Sequence, residues 1–251
     1  MKKKLVFVVA AIAVLISFIG FAAPKNNTGV EIQELEHLGN KYAVVSVDLS
    51  KVKLKLFWKD TTGKPFNTFQ KLEQHVSQNG LKLLAAMNAG IFDKTYTPLG
   101  LHIERGQKLH KANTRTTAFG NFYMQPNGIF FLEARGAKIL TTSEFIRTQP
   151  KAIEATQSGP MLVINNKINS RFQKNSSNRL IRNGVGVETG LRVHLVIGES
   201  WVSFYDFAAF FKDVLHCQNA LYLDGNISGL YVPNSSFQST GDYGGMLGVV
   251  K

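Results

Sequence analysis

The chain has 251 residues, enough for one large domain or two small ones. With 44% hydrophobic and 18% charged residues it can bury a core, which excludes wholesale disorder and collagen-like repetition, and its single cysteine, Cys217, excludes an internal disulfide framework and a cysteine-based zinc finger. Twenty-nine Lys and Arg against 17 Asp and Glu leave a formal charge of +12, which favours anionic ligands: nucleic acid, an anionic membrane surface, or a phosphorylated or carboxylated glycan.

Lys2, Lys3 and Lys4 precede an apolar run from Leu5 to Phe21, which ends in Ala22-Ala23 before Pro24. A basic start, an apolar middle and small residues at the exit make residues 1–23 a secretory signal peptide, or an uncleaved membrane anchor, since the run approaches the ~20 residues a bilayer requires. Basic residues before the run face the cytoplasm, so the rest is expected outside it: periplasmic or secreted, or held at the inner membrane by this segment alone. Residues 24–41 read as a tether, and 42–251 as a single domain.

Within that domain Tyr42 to Asp48 and Val52 to Trp58 alternate with a period of two, and together they predict a hairpin turning near Leu49-Ser50-Lys51. Phe69, Leu72 and Val76 have helical spacing over Thr68 to Gln78, and Asn79-Gly80 stops that helix. Leu81 to Met87 reads as a buried strand running into Asn88-Ala89-Gly90. Further strands are predicted at Leu99 to Glu104, Gly128 to Leu132, Ala137 to Leu140 and Met161 to Ile164, then Val185 to Glu188, Leu191 to Ile197, Ala220 to Asp224 and Met246 to Val250. Ser203 to Leu215 is the best helix, with Ser203 and Asp206 in a capping-box pattern and Phe204, Phe207, Ala208 and Phe211 as its apolar stripe. Strands and helices do not alternate strictly, so the expected fold class is α+β, with a mixed or antiparallel sheet and few helices.

Several chemistries drop out. There is no GxxxxGK(S/T) phosphate loop, no GxGxxG opening a helix, no GxSxG elbow and no HExxH. The six histidines are scattered; His194 lies in an apolar strand as a core residue, and Cys217 reads as a small buried hydrophobe. No basic face with interleaved aromatics is present, so nucleic acid is not expected as a partner.

What remains is a set of loops at strand ends. Asn88-Ala89-Gly90 delivers an amide into a glycine turn. Gln157-Ser158-Gly159-Pro160 places small polar groups before a strand, where backbone amides can face an anion. Arg179-Leu180-Ile181-Arg182-Asn183 offers two guanidinium forks for a phosphate. Leu223-Asp224-Gly225-Asn226 ends a strongly apolar strand in a carboxylate, where a rigid scaffold positions a reactive group. Taken singly, each is equally an ordinary turn or a solvated charge.

As a series, Asn88-Ala89-Gly90-Ile91-Phe92, Pro98-Leu99-Gly100-Leu101, Asn121-Phe122-Tyr123, Pro126-Asn127-Gly128, Gln157-Ser158-Gly159-Pro160-Met161-Leu162, Ile181-Arg182-Asn183-Gly184-Val185-Gly186 and Leu223-Asp224-Gly225 resemble the phosphodiester glycosidase family. The similarity runs from about Tyr42 to Val250, nearest the bacterial exported branch. It implies hydrolysis of a sugar-1-phosphodiester, with the glycosidic C–O bond broken and a phosphomonoester left on the acceptor. The partner it implies is an anionic phosphorylated glycan or a small glycosyl phosphodiester. Carried over by motif, the substrate-binding residues are Asn88, Gly90, Ser158, Gly159, Asn183, Gly225 and Asn226, although many relatives have Gly or Ser where Asn226 stands. The anomeric carbon gains oxocarbenium character, so a carboxylate is required near it. Asp224 is the first choice and Glu104 the second, with Arg182 stabilising the phosphate charge. A phosphate leaving group needs little help from a general acid. A divalent cation is compatible with Asp224, Asn226 and Asn88 as oxygen ligands, but no ligand spacing compels one. Two other readings stay open. One is a non-catalytic glycan-binding envelope protein, for which Phe122, Tyr123, Trp201 and Tyr205 would form a platform if they do not pack in the core. The other is a metal-dependent phosphodiesterase cleaving the P–O bond.

Overall fold

A computed structural model describes residues 28–225 and 227–251. The expected signal or anchor at 1–23, the first residues of the expected tether, and Asn226 lie outside the described residues. Among those described, sixteen strands and three helices form an α+β domain in which every strand pairing is antiparallel. No described helix is long and apolar enough to cross a membrane.

The strands in the first half of the chain are β1 (Val30–His37), β2 (Asn40–Asp48), β3 (Lys53–Phe57), β4 (Leu83–Asn88), β5 (His102–Glu104), β6 (Gln107–His110), β7 (Gly128–Glu133) and β8 (Gly136–Thr141). They continue with β9 (Glu154–Ser158), β10 (Met161–Ile164), β11 (Lys167–Ile168), β12 (Asn183–Thr189), β13 (Arg192–Gly198), β14 (Asn219–Asp224), β15 (Leu230–Tyr231) and β16 (Met246–Val250). The first sheet has the order β1-β2-β13-β12-β14-β10-β11, the second β15-β4-β16-β3 and the third β6-β5-β9-β7-β8. The largest apolar cluster draws on all three: Val45, Leu195 and Leu221 from the first, Met87 and Leu247 from the second, Phe130 and Ile139 from the third. The core therefore sits where the sheets meet.

The helices follow their sequence signals. In α1 (Phe69–Gln78), Thr68 Oγ1 accepts from Lys71 N at the start, and Phe69, Leu72 and Val76 are buried. In α3 (Phe204–Ala209), Ser203 accepts from Asp206 N, and the chain runs on through a π-helical turn at Phe210–Val214. Between them α2 (Thr142–Thr148) carries a full capping box, Thr141 with Glu144, although its apolar stripe is too short to have stood out in the sequence. His194 is a satisfied core residue, bonded to Ser46 Oγ (2.8 Å) and Glu188 Oε2 (3.0 Å). Cys217 is fully buried, and burial pushes its thiol far above the ordinary range.

Three expectations need correction. Residues 30–37 of the expected tether are β1, an edge strand whose mostly exposed side chains hide its pairing with β2. The chain does turn after Asp48, with Lys51 N on Asp48 O at 3.0 Å, yet β2 and β3 form no hairpin. Both edges of β2 are already taken, by β1 and β13, so β3 joins the second sheet instead. Finally, Gln157 and Ser158, expected in a polar bend that continues through Gly159-Pro160, belong to a strand, Glu154–Ser158, at the centre of the third sheet.

That strand explains its own polarity. Glu154 Oε2 accepts from Leu56 N of the second sheet (3.0 Å), while its Oε1 accepts from Arg105 N (3.3 Å). Burial raises the Glu154 carboxyl to about 7. Gln157 uses its whole amide. Oε1 accepts from Leu101 N (3.0 Å) and Asn113 N (2.8 Å), and Nε2 donates to Asn113 O (2.8 Å) and Thr142 Oγ1 (3.1 Å). Gln157→Leu removes all four bonds and leaves buried backbone groups unpaired. The expected loss of unfolding free energy is about 2–4 kcal/mol, read from the shift of a denaturant midpoint. A loss under about 0.5 kcal/mol would show that water replaces the amide.

Candidate active site

The site forms where the C-terminal ends of β4 and β14 meet the start of β12. The β12–β14 register shifts between Asn183 and Gly184, which sets Asn183 opposite Asp224. Such irregularities re-aim side chains at strand ends. Asn183 Oδ1 accepts from Asp224 N (2.7 Å), and Asn183 Nδ2 donates to Asn88 Oδ1 (2.6 Å) and Asn88 O (3.1 Å). Asn88 Oδ1 also accepts from Gly229 N (2.9 Å), while Asn88 Nδ2 donates to Ile227 O (3.0 Å) and to Asp224 Oδ2 (3.3 Å). The other carboxylate oxygen, Asp224 Oδ1, accepts from Gly225 N at 2.7 Å. Four of the sequence-predicted residues, Asn88, Asn183, Asp224 and Gly225, are thus one connected network.

Gly90 and Ser158 support it from behind. Gly90 sits at φ 140°, and a Cβ there would lie 3.4 Å from both Gln157 O and Thr156 Oγ1. The glycine lets the loop lie against β9, where Thr156 Oγ1 donates to Ala89 O (2.6 Å). Ser158 is fully buried and donates to Leu223 O (2.8 Å), fixing the strand end that carries Asp224. Gly159 packs against Asn127 and the Phe122 carbonyl. These three shape the site from within the protein rather than line its opening. Asn226, the remaining predicted contact, lies outside the described residues.

Asp224 opens onto a cleft of about 250 Å³ together with Tyr222, Gly225, Asn121, Phe122, Tyr123 and Phe119. The sequence reading missed Tyr222 and Asn121 as site residues. Asn121 Nδ2 donates to Tyr222 Oη at 3.2 Å, and a Cβ on Gly225 would lie 2.6 Å from that oxygen. Glycine is needed there because the phenol lies over its backbone. Burial, then the charge of Asp224, pushes the Tyr222 phenol up to about 12, so it stays a hydrogen-bond donor at neutral pH. The signal for Tyr222 was its place two residues before Asp224, on the same strand face.

Two expected catalytic residues lie elsewhere. Arg182 is fully buried. It donates to Val202 O (2.9 Å), Asn178 Oδ1 (2.7 Å) and Asn178 O (3.3 Å), and its Cζ stacks 3.7 Å from the Phe204 ring centroid. It does not line the cleft and approaches it only through Tyr222, whose ring is 5.7 Å from Cζ. Arg179 is likewise engaged, by Asp206, Asn40 and the Trp201 carbonyl. Glu104 binds His102 Nε2 at 2.8 Å and faces a separate cleft beside Glu154 and Lys55. Of the four aromatics weighed as a platform, Phe122 and Tyr123 border the Asp224 cleft and Trp201 is exposed away from it.

Of the three oxygen ligands compatible with a cation, Asn88 and Asp224 are described and Asn226 lies outside the described residues. Both acceptor positions of Asn88 Oδ1 are filled by protein donors, and its amide nitrogen faces Asp224. Among the described residues no group of three or more His, Cys, Asp or Glu is placed to hold a metal ion.

Burial raises the Asp224 carboxyl from 3.8 to about 7, opposed by the Gly225 N–H and the Asn88 amide. This arrangement, a carboxyl with only neutral partners in a small cleft, is assembled from the motif series of one family. The profile of the phosphodiester glycosidase family matches residues 82–246, from just before β4 to the first residue of β16. The chain belongs to that family. It is 36% identical over 180 residues to the uncharacterized Escherichia coli protein YigE, a match covering 72% of this chain and 70% of that protein. Its fold is similar to the catalytic domain of zebrafish N-acetylglucosamine-1-phosphodiester alpha-N-acetylglucosaminidase, auto-inhibited by its pro-peptide. That likeness has a TM-score of 0.61 and 15% identity and covers 88% of this chain and 81% of the other. A hypothetical protein from Synechocystis aligns with a TM-score of 0.58 and 13% identity over 88% of this chain and 61% of its own.

A stability signature follows from Asp224. Its carboxyl keeps a proton up to about pH 7 in the fold but only to about 3.8 in the unfolded chain. The raised value favours the fold at acid pH, and that contribution is lost as pH rises through 7, with linkage bounding the change at about 4 kcal/mol. Asp224→Asn removes the ionisation and retains an acceptor for Gly225 N. Its melting temperature relative to the unaltered protein is therefore expected to be higher at pH 8 than at pH 5. The opposite trend would mean that the fold favours the ionised carboxylate.

Proposed function

We propose that the protein hydrolyses a sugar-1-phosphodiester at the glycosidic C–O bond, with Asp224 as the base or nucleophile. One observation carries this reading: among the described residues Asp224 is the sole carboxylate of its cleft, and it shares that cleft with two neutral polar groups, Tyr222 Oη and Asn121 Nδ2, hydrogen-bonded to each other. The ionised Asp224 either attacks the anomeric carbon or takes a proton from the water that does so. The C–O electron pair leaves with the phosphate oxygen, giving a phosphomonoester on the acceptor and, after water adds, a free sugar. A departing phosphate oxygen is already a weak base, so a single carboxylate is sufficient. The developing charge is met by the Tyr222 hydroxyl and the Asn121 amide, the roles first assigned to Arg182.

The test is turnover of an N-acetylglucosamine 1-phosphodiester in ¹⁸O-labelled water. Label in the sugar is expected. Label in phosphate would mean P–O cleavage, and binding without product would mean a glycan-binding protein. Asp224→Asn is expected to lower kcat by about 10²–10⁴-fold. The rate should rise with pH through about 7, as Asp224 loses its proton; a rate falling through that range would make Asp224 an acid.

The reading includes export, supported by Lys2–Lys4 and the apolar run from Leu5 to Phe21. A reporter active only outside the cytoplasm, fused after Asn26, is expected to be active. A stable but silent fusion would place the enzyme inside.

A further inference from the structure

The Asp224 cleft is smaller than the ~300–1,000 Å³ usual for ligand sites, so a substrate carrying sugar, phosphate and acceptor extends beyond it. The surface shows where. Leu99 and Tyr123 form one wall of the Asp224 cleft and also border a second hollow lined by Lys111 and Arg115. That hollow shares Asn113 and Arg115 with a third, which ends at Arg147. Through these shared lining residues the three hollows adjoin one another, and we read them as one groove. Beyond Asp224 its described lining has no acidic residue, and among the described residues none of Lys111, Arg115 and Arg147 joins an ion pair.

The groove's basic segment is fastened to the sheet rather than loose. Gln157, next to Ser158, grips both backbone groups of Asn113. Asn113 Nδ2 donates to Leu99 O (3.0 Å), Asn113 Oδ1 accepts from Arg115 N (3.1 Å), and His110 Nδ1 bonds Gly100 O (2.8 Å). A buried strand residue thus ties the Lys111–Arg115 segment to the scaffold that holds Asp224. Unpaired cations at a fixed place along a catalytic groove are a receptor for an anion, and a guanidinium fork beside an ammonium suits phosphate.

We propose that this groove is the acceptor subsite and that it binds a second phosphate on the leaving half of the substrate, held by Lys111 and Arg115. The proposal rests on the hydrolase reading above for the direction of the substrate. It adds a substrate class: glycosyl phosphodiesters whose acceptor carries a further phosphate.

The experiment compares two diesters of N-acetylglucosamine 1-phosphate, one with glycerol and one with glycerol 3-phosphate as acceptor. The expected kcat/KM is at least tenfold higher for the second, through KM. In the doubly substituted Lys111→Gln, Arg115→Gln protein the ratio is expected to fall to about threefold or less. Both side chains are exposed, and melting curves confirm that the variant folds. A second arm needs no turnover: calorimetric titration with glycerol 3-phosphate and glycerol 1,3-bisphosphate. The bisphosphate is expected to bind at least tenfold more tightly to the unaltered protein, and the variant to lose that advantage. Cleavage of both diesters without preference, or equal binding of the two phosphates, overturns the groove and leaves the hydrolase reading standing. Selective bisphosphate binding that depends on Lys111 and Arg115, with neither diester cleaved, sustains the groove and overturns the hydrolase reading.

Discussion

The amide of Asn183 is the joint on which the site depends. It accepts the backbone N–H of Asp224 in the first sheet and donates to both oxygens of Asn88 in the second. Two strands from different sheets are thereby locked at their ends, and the loop beyond β14 is tied in through Gly229 N and Ile227 O. Every polar atom of these two amides has a partner, which a buried polar network requires if it is to stabilise rather than cost. Removing either amide would strand several donors and acceptors at once. The carboxylate is positioned by hydrogen-bonded strand ends, not by a loop.

The partners of Asp224 are all neutral, and that determines its chemistry. A guanidinium beside it would hold the carboxyl well below its ordinary value and leave a weak base. With only an N–H and an amide nitrogen, burial prevails and the group titrates near neutrality. Arg182 shows how the fold keeps a cation near yet apart. Its guanidinium is turned into Asn178, Val202 and the Phe204 ring, and it reaches the cleft only through Tyr222, whose ring centroid is 5.7 Å from Cζ. The Tyr222 hydroxyl that lines the cleft is then a donor that carries no charge.

Much of the site was legible because it uses local chemistry. An apolar strand ending in Asp-Gly, or in Asn-Ala-Gly, places a polar group at a strand end whatever the neighbouring strands are. Which strands are neighbours is a tertiary outcome, and there the reading failed: β2 and β3 look like a hairpin until both edges of β2 are seen to be filled. Strand β1 was hidden because an edge strand exposes most of its side chains. Strand β9 was hidden because Glu154, Thr156, Gln157 and Ser158 are polar yet buried, each bonded to backbone of another segment. The surroundings of Arg182 were hidden for a related reason. A sequence shows that a guanidinium is available, but not that Val202 and Asn178 already accept from its Nε and one Nη.

The positive charge of the chain has a place in this picture. Screening limits an exposed charge to about 8–10 Å in physiological salt, so cations farther along a groove attract an anionic ligand without setting the state of a buried carboxyl. No cation contributes to the shift of Asp224, although its groove continues past Lys111, Arg115 and Arg147. Capture of an anion and activation of a carboxylate make opposite electrostatic demands, because a cation that helps the first weakens the second at close range. In the proposed function the two are separated along one groove, and Gln157 and Ser158, adjacent residues of one buried strand, bond the Asn113 backbone at one end and Leu223 O at the other.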